Sequence, residues 1–246
     1  MSNIRILFKR EMMSFFYSPI AYIVLAGILL LNGFGFVTLI QFMNDEPQDV
    51  SVFAVFFNYF FSWLSLMVMV PLITMKLFAD EKRTGTYESL MTTPLKNGEY
   101  VLAKFSAAYA FYLVLWVPTA LYFILVNYFA ATPLEFAPVY GGFIGLILIG
   151  LLAVSMGCLG SALTSNQIIA AVITFALFGG LLLSGFLAFQ FPGKLKEVFQ
   201  YFSMVSHMDE FALGMVDWRR VTFYLTSCIF FLFTTYKIVE SRQWRA

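Results

Sequence analysis

The sequence predicts an all-α membrane protein with six transmembrane helices, and three observations carry that expectation. Six apolar stretches of about 20 residues or more, separated by short polar breaks, fall at 20–40, 52–77, 105–129, 139–163, 168–189 and 221–239. None shows the period-two alternation of barrel strands, and in hydrocarbon only a helix or a closed barrel satisfies its own backbone hydrogen bonds. The composition agrees: 61% hydrophobic and 12% charged residues, with a mean hydropathy of +0.82. Spans on that scale leave too little of the 246 residues for a soluble catalytic domain, which needs about 100. The chain reads as one transmembrane domain, 1–246.

Ahead of the first span, Ile4, Leu7, Phe8, Met12, Phe15 and Phe16 recur at helical spacing, with Arg5, Lys9, Arg10 and Ser14 largely between them. That pattern predicts an amphipathic helix over 1–18 lying in the membrane interface. Ser18-Pro19 ends it, because proline lacks a backbone donor and restricts the residue before it. The first apolar run is too long for the core of a cleaved signal and shows no small-residue cleavage site, so a retained span is expected. Charge then sets the orientation. Arg5, Lys9 and Arg10 precede the first span, whereas the first loop carries Asp45, Glu46 and Asp49 and no lysine or arginine. The positive-inside rule, with an even number of spans, places both termini in the cytoplasm. One connection strains the rule, since Lys194, Lys196, Arg219 and Arg220 fall outside, among Glu197, Asp209, Glu210 and Asp217.

The second span opens on Phe53, Phe56, Phe57, Tyr59, Phe60, Phe61 and Trp63, an aromatic group suited to the membrane–water boundary and to packing. Pro71 within it and Pro118 within the third span are expected to kink their helices. In the fourth span Ala153, Gly157 and Ser161 form a small-residue stripe that lets another helix approach closely. Only Thr164, Ser165, Asn166 and Gln167 separate it from the fifth span, which makes these two an antiparallel hairpin. Residues 190–220 are too polar to cross but keep many apolar positions, and short extracytoplasmic helices fit that mixture. Cys158 and Cys228 both fall inside spans and read as small packing residues.

Several chemistries are missing from the sequence. There is no G-x-x-x-x-G-K-[ST] phosphate loop and no H-E-x-x-H, and one histidine cannot build a multi-histidine metal site. The chain is therefore not expected to be an enzyme, nor to hydrolyse a nucleotide unaided. No aspartate or glutamate lies deep in a span, which disfavours coupling to a proton gradient. The most suggestive positive feature is the polar connection 79–98. It opens with Asp80-Glu81-Lys82-Arg83, continues Thr84-Gly85-Thr86-Tyr87-Glu88-Ser89-Leu90, and stops at Thr92-Thr93-Pro94. A compact amphipathic element is expected there.

That connection resembles the first cytoplasmic loop of the permease subunits of type-2 ABC transporters. Three further stretches are similar to the same family: Phe8-Lys9-Arg10-Glu11 with Tyr17-Ser18-Pro19, the turn Gly160-Ser161-Ala162-Leu163-Thr164-Ser165-Asn166-Gln167, and Ser206-His207-Met208-Asp209-Glu210-Phe211 with Gly214-Met215-Val216-Asp217. The gliding-motility branch is the most similar. The resemblance implies the type-2 exporter transmembrane fold, with a cytoplasmic coupling helix and short helices before the sixth span. It implies a separate ABC ATPase subunit that binds ATP and Mg, a second permease chain, identical or homologous, surrounding membrane lipids, and no nucleic acid. On the same basis Glu81, Lys82, Arg83, Thr84, Gly85, Thr86 and Glu88 are expected to couple to the ATPase, and His207, Asp209, Glu210, Phe211 and Asp217 to form an extracytoplasmic gate. Two other classes use the same spans: a scaffold for a surface machine, and an uncoupled channel or secondary carrier.

Overall fold

The computed structural model describes residues 3–45, 51–86, 96–129 and 136–243. Among these every regular element is helical. Six stretches are long and apolar enough to cross a membrane: Pro19–Asp45, Phe60–Thr84, Asn97–Phe129, Phe136–Leu163, Gln167–Ala188 and Trp218–Ser241.

Helix α1 (Asn3–Tyr17) packs its inner side on a later helix, α6 (Asn97–Trp116), where Phe15 stacks on Phe111 with ring centroids 4.7 Å apart. Ser18 is the joint to α2 (Pro19–Asp45), which starts on a proline whose missing donor costs nothing in a first turn. The second apolar run does not form one helix. Instead α3 (Val52–Asn58) ends at an extended Tyr59, and α4 (Phe60–Thr74) restarts immediately. The Ser62 hydroxyl donates to the Phe56 carbonyl at 2.7 Å, which satisfies one of the acceptors left at the end of α3. The break turns Phe53, Phe56 and Phe57 into the core, where they meet Phe123 and Phe143, and leaves Phe60 outside.

The two prolines behave differently. Helix α4 runs through Pro71 unbroken. Pro118 instead sits in a 3-10 turn (Val117–Thr119) that divides the third span into α6 and α7 (Ala120–Phe129). A six-residue helix, α5 (Ala79–Thr84), follows α4 after a short turn.

Helix α8 (Phe136–Leu163) is the axis of the bundle, with α4, α6, α9 (Gln167–Gln190) and α12 (Trp218–Gln243) around it. Glycine makes that crowding possible. A Cβ at Gly150 would lie 2.1 Å from the Tyr112 ring, one at Gly157 would lie 2.2 Å from Thr74 Oγ1, and one at Gly142 would lie 2.0 Å from the Phe57 ring. Lipid offers no hydrophobic drive between helices, so such close van der Waals contact is what holds a membrane bundle together. The hairpin from α8 to α9 turns on Asn166, whose Oδ1 accepts from the Ile168 amide at 2.9 Å as an N-cap. After α9 come two short helices, α10 (Lys194–Phe202) and α11 (Met204–Ala212). The first exposes all its faces, whereas the second buries Met204, His207, Met208 and Phe211 against the bundle.

Candidate functional site

Two polar assemblies sit at opposite ends of the bundle. The first is built on α5. The resting point of that helix is fixed by Ser161 near the end of α8: its Oγ accepts from the Phe78 and Ala79 amides at 3.0 and 3.1 Å and donates to the Met75 carbonyl at 3.1 Å. One hydroxyl thus satisfies three backbone groups of the turn between α4 and α5. The ammonium of Lys82 donates to the Ala162 carbonyl, and Gln167 Nε2 at the start of α9 donates to Asp80 Oδ1 at 2.6 Å.

The opposite side of α5 carries Glu81. Its Oε1 lies 2.9 Å from Lys104 Nζ and 3.1 Å from Arg10 Nη2, while Oε2 accepts from the Tyr100 hydroxyl. Glu11 closes the group, with Oε1 2.7 Å from Arg10 and 3.3 Å from Lys104. Two acids therefore alternate with two bases. Lys104 is the buried member, its side chain 2% exposed, and its ammonium also sits 5.3 Å from the Tyr100 ring centroid and 5.6 Å from that of Phe78. A lysine so far from water keeps its charge only if paired and hydrogen-bonded. Glu81 and Glu11 do both. Four residues of α5, Ala79 to Lys82, are thereby tied to α1, α6, α8 and α9 at once.

The expected coupling residues divide accordingly. Glu81 and Lys82 face into the protein, whereas Arg83, Thr84, Gly85 and Thr86 are exposed. Arg83 pairs with Asp80 at 2.9 Å, and Thr84 Oγ1 donates to the Asp80 carbonyl at 2.9 Å. Gly85 has φ of 73° and ends α5, where a left-handed residue is needed, so its place is the helix end and not its start. Glu88 lies outside the described residues. Sequence reasoning passed over Glu11, Tyr100, Lys104 and Ser161 as members of the site. The signal for Lys104 was a single cation inside an apolar run, for which a buried acid partner is required.

The second assembly gathers around α11. His207 is fully buried, with Nδ1 3.1 Å from Tyr224 Oη and Nε2 2.9 Å from Arg220 Nη1 and 3.1 Å from the Tyr201 carbonyl. A guanidinium can only donate and a carbonyl can only accept, so Nε2 serves either Arg220, with the ring proton on Nδ1, or the Tyr201 carbonyl, with the proton on Nε2. Burial, and then the charge of Arg220, lower the His207 pKa to about 4. Glu210 holds Arg220 through two hydrogen bonds of 2.9 and 2.7 Å, and this partner keeps its carboxyl below the usual range. Asp209 turns away to accept from Asn58 at 2.8 Å, and its pKa is raised by burial and by the charge of Glu210. Phe211 is core, and its carbonyl lies where any Cβ on Gly141 would fall, 1.9 Å away. Asp217 Oδ1 accepts from the Arg219 amide at 2.9 Å and starts α12. Of the five expected gate residues, only His207 and Glu210 share a network, through Arg220.

Cys158 and Cys228 are buried and free, and among the described residues no group of three or more His, Cys, Asp or Glu is placed to hold a metal ion. Residues 40–236 match the family model described as ABC-2 family transporter protein, a range that contains both assemblies apart from Arg10 and Glu11. No curated protein matches the chain.

Proposed function

The chain belongs to the ABC-2 transporter family and is a transmembrane permease of an ABC transporter, not a nucleotide-binding enzyme; from that premise we propose that α5 is the lever through which a separate ATPase subunit drives it. Two permease chains, identical or homologous, would enclose one pathway. ATP and Mg would be bound by the ATPase, and the cargo would be exported. The chain's overall resemblance to the gliding-motility branch supports a place in a cell-surface motility exporter. The distribution of Lys and Arg supports α5 and both termini in the cytoplasm, and the family resemblance supports a bacterial inner-membrane location.

The observation that carries this reading is the wiring of α5. An element that short, tied by side chains to four helices, cannot shift without displacing them, because packed interiors transmit movement instead of absorbing it. Its exposed tip, Arg83 to Thr86, is left for a partner, while its inner face holds the bundle. Nucleotide-dependent movement requires that the ATPase contact this tip differently in its two states, since differential binding is the only source of work. Residues 207–217 would serve as the outer cap, where α11 rests on the glycine-lined start of α8.

The test is reconstitution of the permease with its ATPase in liposomes. Arg83→Glu alters the tip away from Glu81 and Lys104, and Gly85→Trp adds bulk there while straining the left-handed end of α5. Both should insert normally and lose transport-coupled ATP hydrolysis. Full coupling in both variants would count against α5 as the contact.

A further inference from the structure

We infer that the crevice behind α5 is a binding site for one phospholipid with an anionic phosphodiester headgroup, taken from the leaflet at that end of the bundle. The crevice has a volume of about 590 Å³ and lies between α1, the start of α2, the end of α4, and α6. That volume is within the range of small-molecule sites, about 300–1,000 Å³. Its walls combine the polar Ser14, Ser18 and Lys76 with the apolar Ala21, Val24 and Ile73.

Charge identifies the occupant. Of the three acids lining the crevice, Glu11 and Glu81 are matched by Arg10 and Lys104, and Asp80 by Arg83 and Gln167. Lys76 remains as the surplus cation. It is half-buried and, among the described residues, has no ion pair or hydrogen bond. A single phosphodiester supplies the one negative charge that balances it, and the Ser14 and Ser18 hydroxyls are further donors on the same wall. A zwitterionic headgroup is neutral overall and would leave the charge of Lys76 unbalanced. A free phosphate would leave the apolar walls uncovered. A lipid acyl chain covers them with the same chemistry as the surrounding bilayer.

The cytoplasmic identity of this leaflet rests on the proposed orientation, but binding itself does not, so the assay uses the permease chain alone, without ATPase or nucleotide. Native mass spectrometry of the purified full-length chain, delipidated and exposed to equimolar phosphatidylglycerol and phosphatidylethanolamine, should show one retained phosphatidylglycerol. Hydrogen bonds to charged groups are worth about 1.5–3 kcal/mol, so Lys76→Gln should lower retention roughly tenfold or more. Lys76→Arg should restore it. Val24→Trp, which fills the apolar wall and leaves Lys76 in place, should also release the lipid. Equal retention by wild type and Lys76→Gln overturns the proposal. So does displacement of the lipid by inorganic phosphate, which would make this an ion site only. Preferential retention of phosphatidylethanolamine also overturns it.

Discussion

The two ends of the bundle are both wired by ion pairs, yet they are wired in different ways. At the α5 end, Glu81 reaches Arg10 and Lys104, and Asp80 reaches Gln167, so one short helix gathers residues from distant parts of the chain. At the α11 end the main ion pair, Glu210 with Arg220, joins neighbours in sequence, and only the Asn58–Asp209 hydrogen bond reaches far. The first arrangement transmits displacement between helices. The second ties α11 locally to α12, while α11 itself packs on α8. In the proposed mechanism the α5 assembly would be the input and the α11 assembly the outer cap.

The largest expected effect lies in the stiff assembly. Glu81→Ala leaves Lys104 buried with only the longer Glu11 contact, and breaking a buried pair costs about 3–5 kcal/mol. Thermal unfolding of the detergent-solubilised protein should show a large loss, and adding Lys104→Met should recover most of it. If the two changes are simply additive, the pair is not the unit described. Next comes the helix axis: Gly150→Leu forces a side chain into the Tyr112 ring, an overpacking cost of about 1–3 kcal/mol. The same assay should show that loss, whereas Gly27→Leu, where a Cβ meets nothing within 4 Å, should be nearly silent.

The cap should respond to pH. His207 holds its proton with a pKa of about 4 in the folded chain, against 6.5 ordinarily. Between those values the unfolded chain binds more protons, so stability rises with pH across the window and is lost as pH falls from about 6.5 toward 4. Protonation would also set a second cation against Arg220. His207→Gln should flatten that part of the stability profile, and an unchanged profile would remove His207 as its source. Smaller again is Asn166→Ala, which removes the cap of α9 at a cost of about 1 kcal/mol. Smallest is Arg83→Ala, since an exposed pair is worth about 0–1 kcal/mol; its stability should stay within that range while coupling to the ATPase falls.

Much of the fold was legible because lipid imposes one solution on an apolar run of span length. The six spans, the hairpin at Asn166 and the short helices of 190–220 follow from that constraint. The division of the second span was hidden, because it depends on the Ser62 hydroxyl meeting a carbonyl six residues back, and no periodicity reports such a bond. Pro71 and Pro118 look alike in sequence, yet only Pro118 accompanies a change of helix type. In the candidate site, the charged start of 79–98 was visible as a unit. Its separation into an anchored side and an exposed tip was not, since Lys104 and Glu11 lie on other elements and only tertiary packing brings them to Glu81. The glycines of α8 announced close approach without naming the neighbour; the structure identifies Tyr112, Thr74 and Phe57.

The central claim is that the tip of α5 is the surface on which a cytoplasmic ATPase acts. Arg83→Cys provides a direct probe, because Cys158 and Cys228 are both buried. A membrane-impermeant maleimide should label that variant in inverted membrane vesicles and not in sealed intact cells, and bound ATPase should protect it. Labelling from outside intact cells, or equal labelling with and without the ATPase, would contradict the account.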